Sequence, residues 1–279
     1  MSKTATIEGI RMKWEESGDG LPVVLIHGIP TCPALWRHVT PRIARARCLA
    51  WEMVGYGGSI PEGRDRDISV GQQADYLMSW LDHLGIQQAV LAGHDLGGGV
   101  AHIAAVRNPA RCRGLFLTNA IGYDSWPIPS VKAMRIAGPV VSHLPDPAFK
   151  QVFRSFLHRG HDESARAEEA MQVHWPHYEG HDGAAAFIRQ VDSLNVDDTL
   201  AVADRLSSLK VPARIAWGAD DQFQKIEYGE RFARDLSAPL RRIEGGKHFT
   251  PEDHPHVIAE EISRLVAAAA VSRTARVPA

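Results

Sequence analysis

Three places in this sequence carry side chains whose types and order suggest chemistry. The first is Gly93-His94-Asp95-Leu96-Gly97, which follows an apolar run from Ala89 to Ala92 and leads into a helical pattern from Leu96 to Val106. This has the form of a strand–turn–helix G-x-S-x-G turn, a nucleophile elbow, with aspartate where serine usually sits. Such a turn is so sharp that the flanking positions must be small, and Gly93 and Gly97 meet that demand. An ordinary β–α loop with Asp95 as a helix N-cap reads equally well from this stretch alone. The second place is Asp220-Asp221, after the apolar run Ala213 to Trp217. The third is His248, in the loop between the run Leu240 to Ile243 and a closing helix. The order acid, acid, histidine is that of a nucleophile, an orienting acid and a base. A carboxylate is already ionised at neutral pH and can displace a leaving group from saturated carbon. The histidine would then activate water against the resulting ester.

These side chains need a scaffold that brings strand ends together. Thr4 to Ser17 reads as two short antiparallel strands joined near Gly9. Pro22 to Ile26 is a continuous β-branched run typical of a strand covered on both faces, and Arg47 to Met53 reads as another buried strand. Helices are predicted over Ala34 to Ala46 and over Ser69 to Leu84, the latter from the spacing of Leu77, Trp80, Leu81 and Leu84. Cys112 to Thr118 is the next strand. After Asn119 the alternation stops, and Ser130 to His143, Asp146 to Leu157, Asp162 to Val173 and Gly183 to Leu194 read as consecutive helices. The strand Ala213 to Trp217, the helix Ile226 to Leu236, the strand Leu240 to Ile243 and the helix Pro255 to Ala268 complete the pattern. The expectation is an α/β fold: a mostly parallel twisted sheet flanked by helices, with an inserted helical cap. The core domain is placed at 1–121 and 207–279, the cap at 122–206. Fraying is expected over Ala267 to Ala279.

Composition narrows the class. The chain has 279 residues, 44% hydrophobic and 23% charged, with a formal net charge of −2. That is ordinary for a globular protein with a sizeable core and gives no sign of nucleic-acid or membrane binding. No run is long enough to span a membrane, and Met1 to Glu8 lacks the apolar centre of a signal peptide. Cys32, Cys48 and Cys112 are odd in number and widely spaced, which fits reduced thiols in a cytoplasm. The cluster His174-Trp175-Pro176-His177-Tyr178 lacks carboxylate or cysteine partners at ligand spacing, so no metal is expected, and no cofactor either.

His27-Gly28-Ile29-Pro30, Gly93-His94-Asp95-Leu96-Gly97, Gly218-Ala219-Asp220-Asp221 and His248-Phe249 together resemble the α/β-hydrolase fold superfamily. Within it the chain resembles the aspartate-nucleophile branch of epoxide hydrolases and haloalkane dehalogenases. The resemblance implies Asp95 as nucleophile, His248 as base and, from the Gly-x-x-Asp spacing, Asp221 rather than Asp220 as the orienting acid. It also implies an oxyanion hole from the backbone N–H groups of Ile29 and Leu96. Some relatives carry the acid after the strand that follows the elbow helix. Here that place holds Asn119, which bears no charge, with Asp124 a weaker candidate further on.

Haloalkane dehalogenases hold the halide with a tryptophan after the nucleophile, and many add an asparagine after the His-Gly pair. Leu96 and Ile29 occupy those positions and can donate nothing from their side chains. Trp126 or Trp175 would have to substitute. Fluoroacetate dehalogenases use arginines in the elbow helix, where this chain has Leu96, Gly98 and Gly99. Epoxide hydrolases protonate the ring oxygen, usually with two cap tyrosines; Tyr178 is the first candidate here and Tyr123 the second. Cap packing is the alternative for both. His27, Trp36, His94, Trp126 and Trp175 are candidate pocket residues, with packing the equal alternative for Trp36. The resemblance therefore implies a cofactor-independent hydrolase, first of a small to medium apolar epoxide and second of a haloalkane. Esterase or lactonase chemistry would require an anhydride at Asp95, and a non-catalytic ligand-binding protein is the remaining alternative. The expected partner is a small apolar molecule, without nucleic acid or membrane, and the chain is expected to be a monomer or homodimer.

Overall fold

The computed structural model describes residues 1–180 and 182–274. The chain begins with an antiparallel hairpin, β1 (Ser2–Ile7) and β2 (Ile10–Ser17), followed by β3 (Leu21–Ile26) and β4 (Ala46–Trp51). Next come α1 (Val70–His83), β5 (Ala89–His94), α2 (Leu96–Arg107) and β6 (Cys112–Thr118). Five helices follow without a strand: α3 (Pro129–Val141), α4 (Asp146–Gly160), α5 (Ser164–His174), α6 (Gly183–Asp192) and α7 (Asp197–Ala203). The chain then returns through β7 (Ala213–Gly218), α8 (Ile226–Asp235), β8 (Leu240–Ile243), α9 (Thr250–Asp253) and α10 (Pro255–Thr274).

The strands form one eight-stranded sheet in the order β1-β2-β4-β3-β5-β6-β7-β8. The pairs β1–β2 and β2–β4 are antiparallel and the others parallel. This is the α/β-hydrolase arrangement that the sequence motifs imply. Because β3, β5, β6, β7 and β8 run parallel, their C-terminal ends lie along one edge, where ligands bind in such sheets. The central strands are mostly apolar because helices cover both faces. Val23 to Ile26 and Ala89 to His94 are all buried. Each large aliphatic side chain removed from water there contributes roughly 1.5–3 kcal/mol. The helix α2 is buried from Leu96 to Val106, and its Gly97-Gly98-Gly99 start lets it approach the sheet closely.

One predicted element is absent. Instead of a helix over Ala34 to Ala46, two 3-10 turns occupy Pro33–Trp36 and Thr40–Arg42. Pro41 is the physical reason: it has no N–H, and its ring would collide with the carbonyl four residues back in an α-helix. Where fraying is expected from Ala267, α10 continues through Thr274; residues 275–279 lie outside the described residues. Among the described residues no helix is long and apolar enough to cross a membrane.

Between α4, α6 and the segment after α5 lies an aromatic cluster of Phe149, Phe153, Trp175, Tyr178 and Phe187, with ring centroids 5.0–6.4 Å apart. Polar contacts tie these helices to the sheet. Gln190 Nε2 donates to the Gly55 carbonyl at 2.8 Å, and His161 Nε2 meets Glu252 Oε2 at 3.0 Å.

Candidate active site

The turn after β5 holds Asp95 at φ 52°, ψ −122°. For a residue with a Cβ that backbone costs on the order of 1–3 kcal/mol and persists only where its surroundings enforce it. They do so here through close packing. A Cβ on Gly93 would overlap the Gly97 carbonyl, and one on Gly97 would overlap the carbonyls of Ile26 and His27. The Asp95 carbonyl is fixed by three donors, the N–H groups of Gly98, Gly99 and Ile121, at 3.0, 3.2 and 3.1 Å. The side chain does not cap its own helix, so the N-cap alternative falls away. Its carboxylate turns to the end of β3, where Oδ2 accepts from the Ile29 N–H at 3.0 Å. The Leu96 N–H is the second backbone group that pulls its pKa down. Gly28 has no Cβ because the Asp95 carboxylate occupies that space. Burial pushes the Asp95 pKa above the ordinary aspartate value, against the pull of His248 and the two N–H groups.

His248 follows β8. Its Nδ1 lies 2.8 Å from Asp221 Oδ2, and its Nε2 lies 3.9 Å from Asp95 Oδ1. Burial lowers the proton affinity of the ring, but Asp221 and then Asp95 outweigh it, so the net shift is upward. Asp221 follows β7 and accepts from the Phe223 N–H at 2.7 Å and from Asn119 Nδ2 at 2.6 Å. Asp220 is exposed and takes no part. The structure thus brings together Asp95, His248, Asp221, Ile29 and Leu96 from the ends of four different strands.

Asn119, at the end of β6, stands where the alternative acid would be. It donates to Asp221, while its Oδ1 accepts from the Gly218 N–H at 3.2 Å and the Thr250 hydroxyl at 3.0 Å. Asp124 is exposed and accepts from the Tyr228 hydroxyl at 3.2 Å, away from His248.

Several predicted pocket residues lie elsewhere. His27 is fully buried; its Nδ1 donates to the Gly28 carbonyl and its Nε2 accepts from the Met53 N–H, at 2.9 and 3.2 Å. Burial lowers its pKa to about 3, so it is a neutral packing residue. His94 is also fully buried and donates from Nε2 to the His248 carbonyl at 2.9 Å. Trp36 sits in the core. Trp175 belongs to the aromatic cluster, its Nε1 3.4 Å from Glu179 Oε1. Tyr178 is buried there too, and its hydroxyl donates to Gln190 Oε1 at 2.8 Å. Tyr123 faces α8, donating to Asp235 Oδ2 at 2.8 Å with the Arg231 guanidinium 3.8 Å over its ring. Neither tyrosine reaches Asp95, because each hydroxyl is spent on a partner in its own packing environment. Trp126 alone of this group lines the cavity at Asp95, with its indole N–H donated to Thr199 Oγ1 at 2.7 Å. Among the described residues no cluster of histidine, cysteine and carboxylate side chains is arranged to hold a metal.

The cavity at Asp95 is small and mostly apolar, walled by Ile29, Leu96, Ile121, Trp126, Phe156 and Leu194 together with Gln224 and His248. Through Ile29, Val131, Phe156 and Leu194 it adjoins a cavity of about 460 Å³ under α3, α4 and α6. Gln224 escapes sequence reasoning. It is 3% exposed, and its Oε1 has no hydrogen-bond partner. The available signal is its place three residues after Asp221, in the same strand-end loop.

A family profile described as the alpha/beta hydrolase fold matches residues 22–255. A stretch of 127 residues is 39% identical to 2-hydroxymuconate semialdehyde hydrolase of a Pseudomonas strain, covering 43% of this chain and 43% of that protein. Another of 137 residues is 34% identical to bifunctional epoxide hydrolase 2 of Sus scrofa, covering 48% of this chain and 25% of that protein. These two matches span less than half of each relative. A haloalkane dehalogenase of Bradyrhizobium diazoefficiens is 26% identical over 95% of this chain and 94% of its own length. The crystal structure of an alpha/beta hydrolase fold protein from Burkholderia ambifaria superposes with a TM-score of 0.87, at 26% identity, over 93% of this chain and 96% of that one.

Proposed function

The chain belongs to the alpha/beta hydrolase fold family, and we propose that within it the protein is a hydrolase that forms an alkyl ester on Asp95 and hydrolyses it with His248. The observation that carries this reading is the Asp95 carboxylate, held by the Ile29 N–H at 3.0 Å with its free oxygen 3.9 Å from His248 Nε2. Oδ1 attacks a saturated carbon, the bond to the leaving group breaks, and an ester remains. Neutral His248 then removes a proton from water, whose oxygen adds to the ester carbonyl. The Ile29 and Leu96 N–H groups receive the developing oxyanion. Donors of this kind are worth about 3 kcal/mol each in related acyl chemistry. Collapse releases the alcohol, which takes the proton from His248. The proton of the new Asp95 acid passes to His248, restoring carboxylate and imidazolium. Asp221 holds the ring tautomer and stabilises the imidazolium. In this scheme residues 122–206 act as a cap over the core formed by 1–121 and 207–279.

An epoxide is the first substrate class. With Tyr178 and Tyr123 engaged elsewhere, the ring oxygen takes its proton from the His248 imidazolium, favoured by Asp221 and Asp95. The same ring then serves as base. A haloalkane is the second reading, favoured by the Gln224 amide in the cavity wall: the halide leaves without a proton, and the His248 imidazolium gives its proton to solvent before it acts as base.

Turnover of epoxides and bromoalkanes in oxygen-18 water tests the shared step. The peptide containing Asp95 should gain the heavy isotope, since water attacks its carbonyl. Label in the product alone, with none in that peptide, would mean that water attacks the substrate directly and would sink the ester intermediate.

A further inference from the structure

The cavity system has a charged end that the chemistry at Asp95 does not use. Arg159 stands at the edge of the 460 Å³ cavity, near Val152, Met134 and Phe187. On its other side lies a second cavity of about 440 Å³, which shares Arg159 and Ser130 with the first. Pro127, Ile128 and Phe223 are common to this second cavity and the one at Asp95. The cavity at Asp95 therefore adjoins a mostly apolar cavity on one side and, on the other, one whose walls carry the exposed side chains of Lys132, Arg159 and Lys225. The one acid among these walls is Asp124, already bonded to the Tyr228 hydroxyl. Among the described residues none of the three cations forms an ion pair, whereas Arg37, Arg47, Arg107, Arg111 and Arg214 all do. The Arg159 guanidinium instead lies 4.9 Å over the ring of Phe223, which also stacks on Phe156 at 4.7 Å and meets the His248 ring at 5.0 Å. That stacking orients a planar fork suited to a carboxylate.

We infer that Arg159, assisted by Lys132 and Lys225, is a carboxylate-binding subsite, and that the substrate is an amphiphilic acid. Its apolar body lies among Val131, Met134, Val152, Phe156 and Phe187, and its head group meets Arg159. The reactive carbon sits between them, over Asp95. Guanidinium and carboxylate can form two parallel charge-assisted hydrogen bonds, while the lysines add point charges. This revises the expectation of an apolar neutral substrate. It rests on the Asp95 reading for which carbon reacts, but the binding step stands apart from catalysis.

The test measures binding of unreactive probes by calorimetry: octanoate against octanol, on the wild-type chain, on Arg159→Gln and on Lys132→Gln/Lys225→Gln. Octanoate should bind more tightly than octanol, lose affinity with added salt, and weaken about tenfold in Arg159→Gln. Octanol should bind the two variants as it binds the wild type. Equal binding of both probes, unchanged in Arg159→Gln, would reduce the cationic rim to solvated surface. Binding of neither would remove the cavity as a ligand site. Octanoate binding with no isotope in Asp95 during turnover would instead leave the subsite standing and overturn the ester chemistry.

Discussion

At the scale of single residues, His248 is assigned two tasks that respond oppositely to pH. Its pKa is raised by Asp221 and Asp95 against burial. It therefore stays protonated above the ordinary histidine value of 6.5 and loses its proton as pH rises through the raised value. Opening of an epoxide needs the imidazolium, so ester formation in a rapid-quench experiment should slow as pH rises through that range. Hydrolysis of the ester needs neutral His248 and should speed up over the same range. With an alkyl bromide no proton is required, and ester formation should stay flat there; a flat epoxide profile would remove His248 as the acid. Asp95 sets the low-pH side, because its raised pKa makes both substrates slow as it protonates. Tyr178 gives a sharper contrast. A general acid is worth ~10²–10⁴ in rate, but its hydroxyl is bonded to Gln190 in a closed aromatic cluster. Tyr178→Phe should leave turnover within about twofold and cost about 1 kcal/mol of stability through the lost hydrogen bond. A rate loss of tens-fold with intact melting temperature would return Tyr178 to the mechanism.

At the scale of elements, the site depends on strand ends held at fixed heights. Asn119, at the end of β6, ties β7 and the segment after β8 through Asp221, the Gly218 N–H and the Thr250 hydroxyl. Asn119→Ala would strip one donor from the buried Asp221 carboxylate and leave the Gly218 N–H and Thr250 hydroxyl without their acceptor. An uncompensated group costs about 1–3 kcal/mol. We expect a melting temperature several degrees lower and a slower ester hydrolysis step, because His248 loses its fixed orientation; normal hydrolysis in the variant would confine Asn119 to packing. These strand-end relations explain what the sequence discloses. The elbow, the Asp221 loop and the His248 loop are legible because each is a local pattern: an apolar run, a turn of small residues, one reactive side chain. The β6 and β8 bounds coincide with the strands expected over Cys112 to Thr118 and Leu240 to Ile243. The segment after β3 misleads because apolar spacing suggests a helix while Pro41 forbids one. The places of Tyr123, Tyr178 and Trp175 are not legible, since which way an aromatic ring packs is decided by partners such as Asp235, Gln190 and Phe153, distant in sequence.

At the scale of the whole molecule, the helices between β6 and β7 are fastened to the sheet by a buried ionic cluster. Glu252, on α9 just after His248, is 1% exposed and meets His161 at 3.0 Å and His174 at 3.3 Å. Arg37 pairs with the same carboxylate and also with Glu169 on α5. Burial alone would raise the Glu252 pKa, but His174 and His161 hold it well below the ordinary value of 4.5. His161 is shifted the other way: burial lowers it, Glu252 raises it more, and it ends above 6.5. The signs give two windows. The Glu252 contribution is present above pH about 4.5 and is lost as pH falls from there toward its depressed folded value. The His161 contribution is complete below about 6.5 and is lost as pH rises through its raised folded value. The melting temperature should therefore form a plateau between those limits and decline on both sides. Removing one partner of a buried ionic pair costs about 3–5 kcal/mol, so Glu252→Gln should lower the plateau and flatten both flanks together. Because Glu252 lies four residues from His248, the same variant should weaken the fit of the helices over the Asp95 cavity. Substrate would then bind less well while the oxygen-18 label still reached Asp95. A Glu252→Gln protein with an unchanged pH profile of melting would show that the helices are held by their apolar contacts alone.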